Sequence, residues 1–430
     1  MKIDEISSKE FEKFASIHPQ FSFHQTKNWG ELKKTMGWDY SFVGLKDKDK
    51  IVGGAILLSK ETPIKKKIFY SPRGFLIDYS DELLVKEFTK EIKKYVKEHN
   101  GFFIKIDPYL EHLERDINGD VVNEGINNSK VIDLLKSLGY KHYGFNLSMG
   151  KELQPRWIYV LDLKGKDEDV VFNNFSSDTK RYINRAIKNH LEIEEVDENN
   201  LDEFYKIMAH TSKRRGFINR PMSYYRDMLK YLSPNIKILN CFLNVDKALK
   251  DTKEEIEHIS KEEAELKKIM EETNSKKSKT NYKNAINSLE QLNKKYEELT
   301  KLKEEKGSKI VMASSMFLTF GNEVVYLFSG SYDEYMKYNA QYLIQWEIIK
   351  YAVNNKYDRY NFYGIDGNLD KENNDTYGIY EFKKGFDGRV VEFIGEFDLV
   401  VSKFYYNLYN IAFKMYRGAK HLIVKMKGRK

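Results

Sequence analysis

Two adjacent lysines, Lys383 and Lys384, stand between Phe382 and Phe386 in the stretch TYGIYEFKKGF, residues 376–386. Lysines in the last turn of a helix complement its dipole, and a glycine such as Gly385 closes the C-terminus. That role accounts for a lysine near Gly385, but not for two aromatic rings bracketing the pair. Asp107, which opens DPYL, is a carboxylate at the end of an apolar run. At a domain junction it can position or deprotonate an amine; as a turn cap it does neither. Tyr332 in SGSYDEY either packs or lines a channel. His24 and His210 read as structural, and the nine histidines form no HExxH or HxH pair. Cys241 is the only cysteine, so disulfide frameworks and cysteine metal clusters are excluded.

The elements that must hold these groups come from an internal repeat. KIVGGAILLS, starting at Lys50, and KIVMASSMFLT, starting at Lys309, open two segments that share a constant offset of 259 positions (309 − 50 and 366 − 107). Lys50, Ile51, Val52, Phe69, Leu84, Phe103, Ile106 and Asp107 each meet an identical residue at that offset. Each copy reads as strand, turn, strand, amphipathic helix and a strand ending in Ile-Asp. Each then continues to a short helix closed by glycine, and Gly139 aligns with Gly385. Lys383 thereby faces Ser137, so the repeat itself does not demand a lysine. This order resembles the GCN5-related N-acetyltransferase (GNAT) fold, which implies an α+β protein with two such units in tandem. The acyl-CoA enzymes of that fold bind pyrophosphate on a glycine-rich turn opening the central helix. The equivalent segments here, LIDYSDELL and MKYNAQYLI, are not glycine-rich.

Residues 246–306 are dominated by Lys and Glu and contain no proline. Leu249, Thr252, Ile256, Ile259, Glu263, Leu266 and Met270 step by three and four, as do Tyr282, Ala285, Leu289, Leu292, Tyr296 and Leu299. The pattern predicts an antiparallel coiled-coil hairpin inserted in the second unit. Such an arm is a spacer, a dimer contact, or a surface for RNA or a protein. The expected organisation is a first unit over 1–150, a second over 151–245 and 307–395, the arm over 246–306, and a C-terminal helical segment over 396–430.

With 430 residues, 41% of them hydrophobic, the chain has material for more than one core. Its net charge of +7 is compatible with phosphate-bearing partners without specifying them. The N-terminus MKIDEISSKEFEKF lacks the apolar stretch of a signal peptide, and no run is long enough to cross a membrane. The expectation is a cytoplasmic protein.

HQTKNWGELKKTMGW, YSPRGFLID, IKIDPYL, LQPRWIYVLDL, TSKRRGFINRPMSYY, SGSYDEYMKYNAQYLIQWEIIKYA and YEFKKGF, in this order, resemble the Fem family of peptidoglycan aminoacyltransferases. The likeness runs from about residue 20 to 400. It implies transfer of an amino acid from aminoacyl-tRNA to the stem-peptide amine of a peptidoglycan precursor, lipid II or a UDP-linked muropeptide, with peripheral contact at the inner membrane face. An aminoacyl ester is already activated, so attack by an amine needs positioning, loss of a proton and a donor for the oxyanion, with no metal or cofactor. The resemblance further implies that Phe382 packs against the terminal adenosine of the tRNA and that Lys383 points at the ester carbonyl. It makes Arg220 and Tyr224 phosphate and peptide contacts. Lys33, with Lys34 as a rival, and Arg73 are further phosphate candidates, and Tyr332 lines the channel. One departure is Asp387, where the pattern would have a second glycine. Two other readings stay open: an acyl-CoA N-acyltransferase, and a non-catalytic RNA-binding coiled-coil protein.

Overall fold

The computed structural model describes residues 1–413 and 415. Its strands, in chain order, are β1 (Lys2–Glu5), β2 (Asp39–Asp47), β3 (Lys50–Glu61), β4 (Lys67–Ser71), β5 (Gly101–Ile106), β6 (Glu111–Glu114), β7 (Tyr140–His142), β8 (Trp157–Asp162), β9 (Leu191–Glu195), β10 (Ile236–Asn244), β11 (Lys309–Phe320), β12 (Glu323–Ser331), β13 (Arg359–Gly364), β14 (Arg389–Phe393) and β15 (Phe397–Val400). They form two sheets, ordered β1-β2-β3-β4-β5-β15-β7 and β6-β14-β8-β13-β12-β11-β10-β9. β3 and β11 are both 12 residues long and begin at the two repeat starts, Lys50 and Lys309. In each sheet one parallel pair, β4 with β5 and β12 with β13, is joined through a crossover helix.

The first crossover helix, Glu82–Glu98, buries Val85, Phe88, Ile92, Tyr95 and Val96, a stripe at helical spacing. Asp81 caps its N-terminus, accepting from the Leu83 and Leu84 N–H groups at 3.0 Å each. The second, Ala340–Asn354, is buried on more than one side, with Leu343, Ile344, Trp346, Ile348 and Ile349 all inside. Asn339 precedes it in the left-handed region and makes no side-chain cap.

The two halves exchange short strands. β6 leaves the first half and pairs with β14 at the edge of the second sheet. β15 returns from the far end of the chain and sits between β5 and β7. This corrects the expectation of a helical segment from residue 396: residues 397–400 are strand, and helix occupies 403–413. The remainder of that expected segment lies outside the described residues. Lys105 holds β15 in place through Glu396 (3.1 Å) and Asp398 (3.0 Å). The halves also share a core, in which Phe23, Trp29 and Leu32 pack with Phe204, Tyr225 and Met228.

Val245–Thr273 and Lys276–Lys306 are two antiparallel helices. Their 29 and 31 residues project as rods of about 45 Å. Asn274 turns the chain in the left-handed region and Ser275 caps the second helix. Each apolar-seam position named above is buried or half-buried. The root of the hairpin is not separable at residue 246, because Val245, Ala248 and Leu299 belong to the main core of the second sheet. A Gly-Ser linker replacing only the outer residues 256–296 is therefore expected to leave cooperative unfolding intact while lowering activity. Loss of the cooperative transition in urea would place the outer arm in the core as well.

Candidate active site

A cavity of about 840 Å³ opens in the second sheet, and the strand pairing explains why. β12 and β13 hydrogen-bond only through Glu323–Arg359, Val324–Tyr360 and Val325–Asn361. Beyond that point a bulge at Leu327, against Met316 and Phe317, bends β12 away. The cavity fills the resulting V, between residues 326–331 and 362–364. In the first sheet the equivalent pair β4–β5 stays bonded to its end at Ser71–Ile106, and Leu76 then pairs back with Gly54. Residues 339–342, at the uncapped N-terminus of the second crossover helix, form part of the cavity wall. The Asn339 and Tyr342 N–H groups already donate to the Met336 and Asn339 carbonyls, at 3.1 and 3.0 Å, but with no side-chain cap the positive end of the helix dipole there suits an anion. The matching helix end in the first half is already occupied by Asp81.

Lys383 and Phe382 line this cavity from the helix Tyr377–Lys384. The Lys383 side chain is buried, with 5% of the residue exposed, and its Nζ donates to the carbonyl oxygens of Gly364 (2.6 Å) and Tyr363 (3.4 Å). No salt bridge engages it among the described residues. Burial pulls its pKa down to about 7. Lys384 turns the other way, its Nζ donating to Asn118 Oδ1 at 2.7 Å near the surface. Phe382 is half-buried and meets Tyr342 edge-on at 4.9 Å, while Phe386 is fully buried against Phe175 and Phe362. Gly385 is not a left-handed cap, since its φ is −58°. It is required because a Cβ would sit 2.2 Å from Thr179 Oγ1. The left-handed residue is Asp387 (φ 59°), the position where a glycine had been expected.

Asp107 stands beside the cavity wall rather than in it. Its Oδ1 accepts the Arg73 N–H at 2.7 Å and its Oδ2 accepts the Tyr70 hydroxyl at 3.1 Å, with 3% of the residue exposed. Burial raises its carboxyl to about 7, against the lowering effect of Arg73. The repeat twin, Asp366, does similar work, accepting from the Met149 N–H and the Thr376 hydroxyl. Both aspartates anchor loops, so the geometry makes Asp107 a positioning residue, not one that meets the reacting atoms. Arg73 is likewise corrected. It is buried and left-handed (φ 54°), donates from Nη2 to the Pro155 carbonyl at 2.7 Å, and lies over Phe393 and Tyr109 at 4.5 and 5.4 Å. It bridges the halves and does not face solvent phosphate. Tyr332 packs on His210 (5.2 Å) and Tyr335 (6.2 Å) next to the cavity, outside its lining.

Lys33 and Arg220 come together where the helix Lys27–Lys34 packs on the helix Met222–Leu232. Lys33 Nζ lies 4.2 Å from the Trp29 ring, and Arg220 lies 5.4 Å over Tyr224. Burial, reinforced by the Arg220 charge, pushes the Lys33 pKa down to about 8. Neither cation has a carboxylate partner among the described residues, so the pair repels itself unless an anion intervenes. Lys34 sits apart, exposed and over Tyr40.

Tyr363 connects these parts and carries no signal in the sequence. It is left-handed (φ 63°), donates its hydroxyl to Gln154 Oε1 at 2.9 Å, and places its carbonyl beside Lys383. It lines both the large cavity and a small one shared with Arg73 and His24.

The family model for FemAB matches residues 6–414. The chain belongs to the FemAB family. The Aminoacyltransferase FemA of Staphylococcus aureus strain bovine RF122 / ET3-1 is 33% identical over 412 residues, covering 95% of this chain and 97% of the relative. The FemA of strain MRSA252 is 32% identical over the same span. The crystal structure of FemX superposes with a TM-score of 0.77 at 26% identity, covering 95% of this chain and 99% of that one. The FemAB chain thus has a mixed α/β fold related to that of FemX. Among its described residues no helix is long and apolar enough to cross a membrane.

Proposed function

We propose that this chain moves an amino acid from aminoacyl-tRNA to the stem-peptide amine of a peptidoglycan precursor, with lipid II as the acceptor that builds an interpeptide bridge. The observation that carries the reading is the cavity between β12 and β13: a buried lysine with no counter-ion among the described residues, an aromatic ring beside it, and a helix end without a side-chain cap on its wall. The terminal nucleotide of the tRNA enters here, its base against Phe382 and its phosphate toward residues 339–342. The acceptor amine attacks the ester carbonyl. A C–N bond forms, the C–O bond to the ribose breaks, and the amine proton ends on the ribose hydroxyl. The Lys383 ammonium stabilises the oxyanion between these events. Asp107 and Arg73 keep the halves in register around Tyr363. Lys33 and Arg220 hold the precursor diphosphate, with Tyr224 against the peptide.

Two tandem GNAT-like units give this arrangement a division of labour: the second holds the donor, and the junction holds the acceptor. The coiled-coil arm reaches a large partner such as the tRNA. The place of action is the cytoplasmic side of the membrane. The acyl-CoA reading is disfavoured because Asp81 fills one helix N-terminus and the other lacks a glycine-rich turn.

Arg220→Ala and Lys33→Ala are each expected to raise the KM for the precursor roughly tenfold or more, the worth of a charge-assisted contact. The KM for charged tRNA should stay within twofold or so. An equal rise for both substrates would remove these residues from the acceptor site. Acetyl-CoA should neither replace charged tRNA nor inhibit it; product formed from acetyl-CoA would assign the cavity to CoA.

A further inference from the structure

The helix over residues 403–413 has two apolar faces, and the sheet covers only one. Tyr406 and Tyr409 pack on Phe103 and Phe102 of β5 at 5.3 and 5.6 Å, and the Tyr406 hydroxyl donates to Asp398 Oδ2 at 2.8 Å. Phe404, Leu408, Ile411 and Met415 are 71%, 41%, 59% and 71% exposed. Their spacing of four, three and four puts them in one narrow stripe at about 100° per residue, on the side away from Tyr406 and Tyr409. No other stripe of this kind interrupts the surface at such regular helical spacing among the described residues.

The same stretch of chain carries the molecule's excess charge. From Leu399 to Lys430 there are eight Lys and Arg and no Asp or Glu. The net charge of the whole chain is +7, so the other residues are together close to neutral. A second copy of this chain docking on the stripe would bring eight like charges against eight. RNA would satisfy the cations and leave the apolar stripe in water. A surface with both an apolar interior and negative headgroups satisfies both. We infer that the helix starting at Lys403 is an interfacial anchor that lays the stripe of Phe404, Leu408, Ile411 and Met415 into an anionic lipid leaflet, whose headgroups answer the run of cations in the sequence that follows. The anchor leads directly from β15, the strand wedged into the first sheet, so it fixes the orientation of the body on the membrane. This deepens the proposed function and rests on it in one respect, because a lipid-linked acceptor is presented at such a surface.

The test is flotation of the full chain with precursor-free vesicles. One set is phosphatidylcholine and the other equal parts phosphatidylcholine and phosphatidylglycerol. Partition onto the anionic set should exceed that onto the neutral set by at least about tenfold, since each cation near the surface contributes roughly fivefold. Added salt should erode the difference. Leu408→Glu with Ile411→Glu should lower partition by about tenfold or more and leave the thermal midpoint unchanged. A second variant, Lys420→Gln with Lys425→Gln and Lys427→Gln, should act on the anionic vesicles alone. Equal partition onto both lipids, or partition unmoved by either variant, would overturn the anchor. So would a dimer seen by sedimentation that Ile411→Glu dissolves, or tRNA affinity that falls with the glutamates while lipid partition does not. Transfer to a water-soluble UDP-linked acceptor, measured in parallel, keeps the two questions apart. It tests the reaction without lipid, just as the vesicles test the anchor without precursor.

Discussion

Lys383→Met is expected to lower kcat by about 10²–10³, the usual cost of losing one oxyanion donor, while charged-tRNA affinity stays nearly unchanged. The variant should not be less stable near neutrality. An ammonium buried without a counter-ion is costly, and its pKa of about 7 expresses that cost. Between that value and the ordinary lysine value of 10.5 the unfolded chain binds the extra proton and the folded chain does not. Wild-type stability therefore gains from Lys383 as pH rises through this window, and the burden is fully present below it. The stability advantage of Lys383→Met should be greatest near pH 6 and shrink toward pH 10, by an amount on the order of a few kcal/mol. In catalysis the sign is opposite. If the ammonium is the active form, wild-type kcat/KM carries a descending limb near pH 7, and the limb for kcat lies higher because the bound ester favours the charge. The Met variant should lack that limb. Lys384→Met, which loses only a surface contact to Asn118, should cost roughly twofold at most. Equal mild losses in both variants would return the pair to helix capping.

Glu392→Ala is expected to destabilise the protein by about 3–5 kcal/mol, the largest stability effect of any single change discussed here. Glu392 is buried on β14 beside β6. Its carboxylate receives Arg156 Nη2, Arg115 Nη2 at 2.6 Å and His112 Nδ1 at 3.0 Å. Burial opposes its ionisation, yet His112 and the two arginines hold its carboxyl below the usual range. Removing it leaves Arg156, whose side chain is 2% exposed, as a buried charge facing Arg115. Because His112 and Arg115 lie on or next to the exchanged strand β6, the loss falls on the edge of the second sheet where the two halves pair. Glu392→Gln, which keeps the shape and one acceptor, should lose less. Urea unfolding reads both; a loss under about 1 kcal/mol for the alanine variant would mean that the network is as weak as a surface ion pair.

The repeat was legible because β3 and β11 keep their lengths at one offset and the first crossover helix carries a periodic apolar stripe; the second, buried on more than one side, was found by the offset and not by its periodicity. The arm was legible from its periodicity, as Ile256, Ile259 and Leu266 recur at heptad spacing. What the residues could not reveal is long-range pairing. EHLE and FDLV are four-residue strands with no pattern of their own, and their partners lie in the opposite half of the chain. The boundary at residue 396 failed for that reason. At the site, Lys383 and Phe382 line the cavity, and Arg220 and Lys33 present cations with no carboxylate partner among the described residues. Asp107 and Arg73 do not, because their chemistry is consumed by each other and by Tyr70 and Pro155. A carboxylate at a strand end looks the same in sequence whether it meets a substrate or a backbone N–H. Tyr363 escaped notice because its contribution is a backbone carbonyl and a left-handed φ, which any residue name conceals.

The most direct test of the central claim is mass spectrometry of the acceptor. The purified protein is incubated with a mixed pool of charged tRNAs and lipid-linked or UDP-linked precursor, and the stem peptide is weighed. The account predicts a gain equal to one amino-acid residue, abolished by ribonuclease treatment of the donor pool and nearly abolished by Lys383→Met. A folded protein that adds no mass from any charged tRNA, or that adds an acyl group from CoA instead, would contradict it.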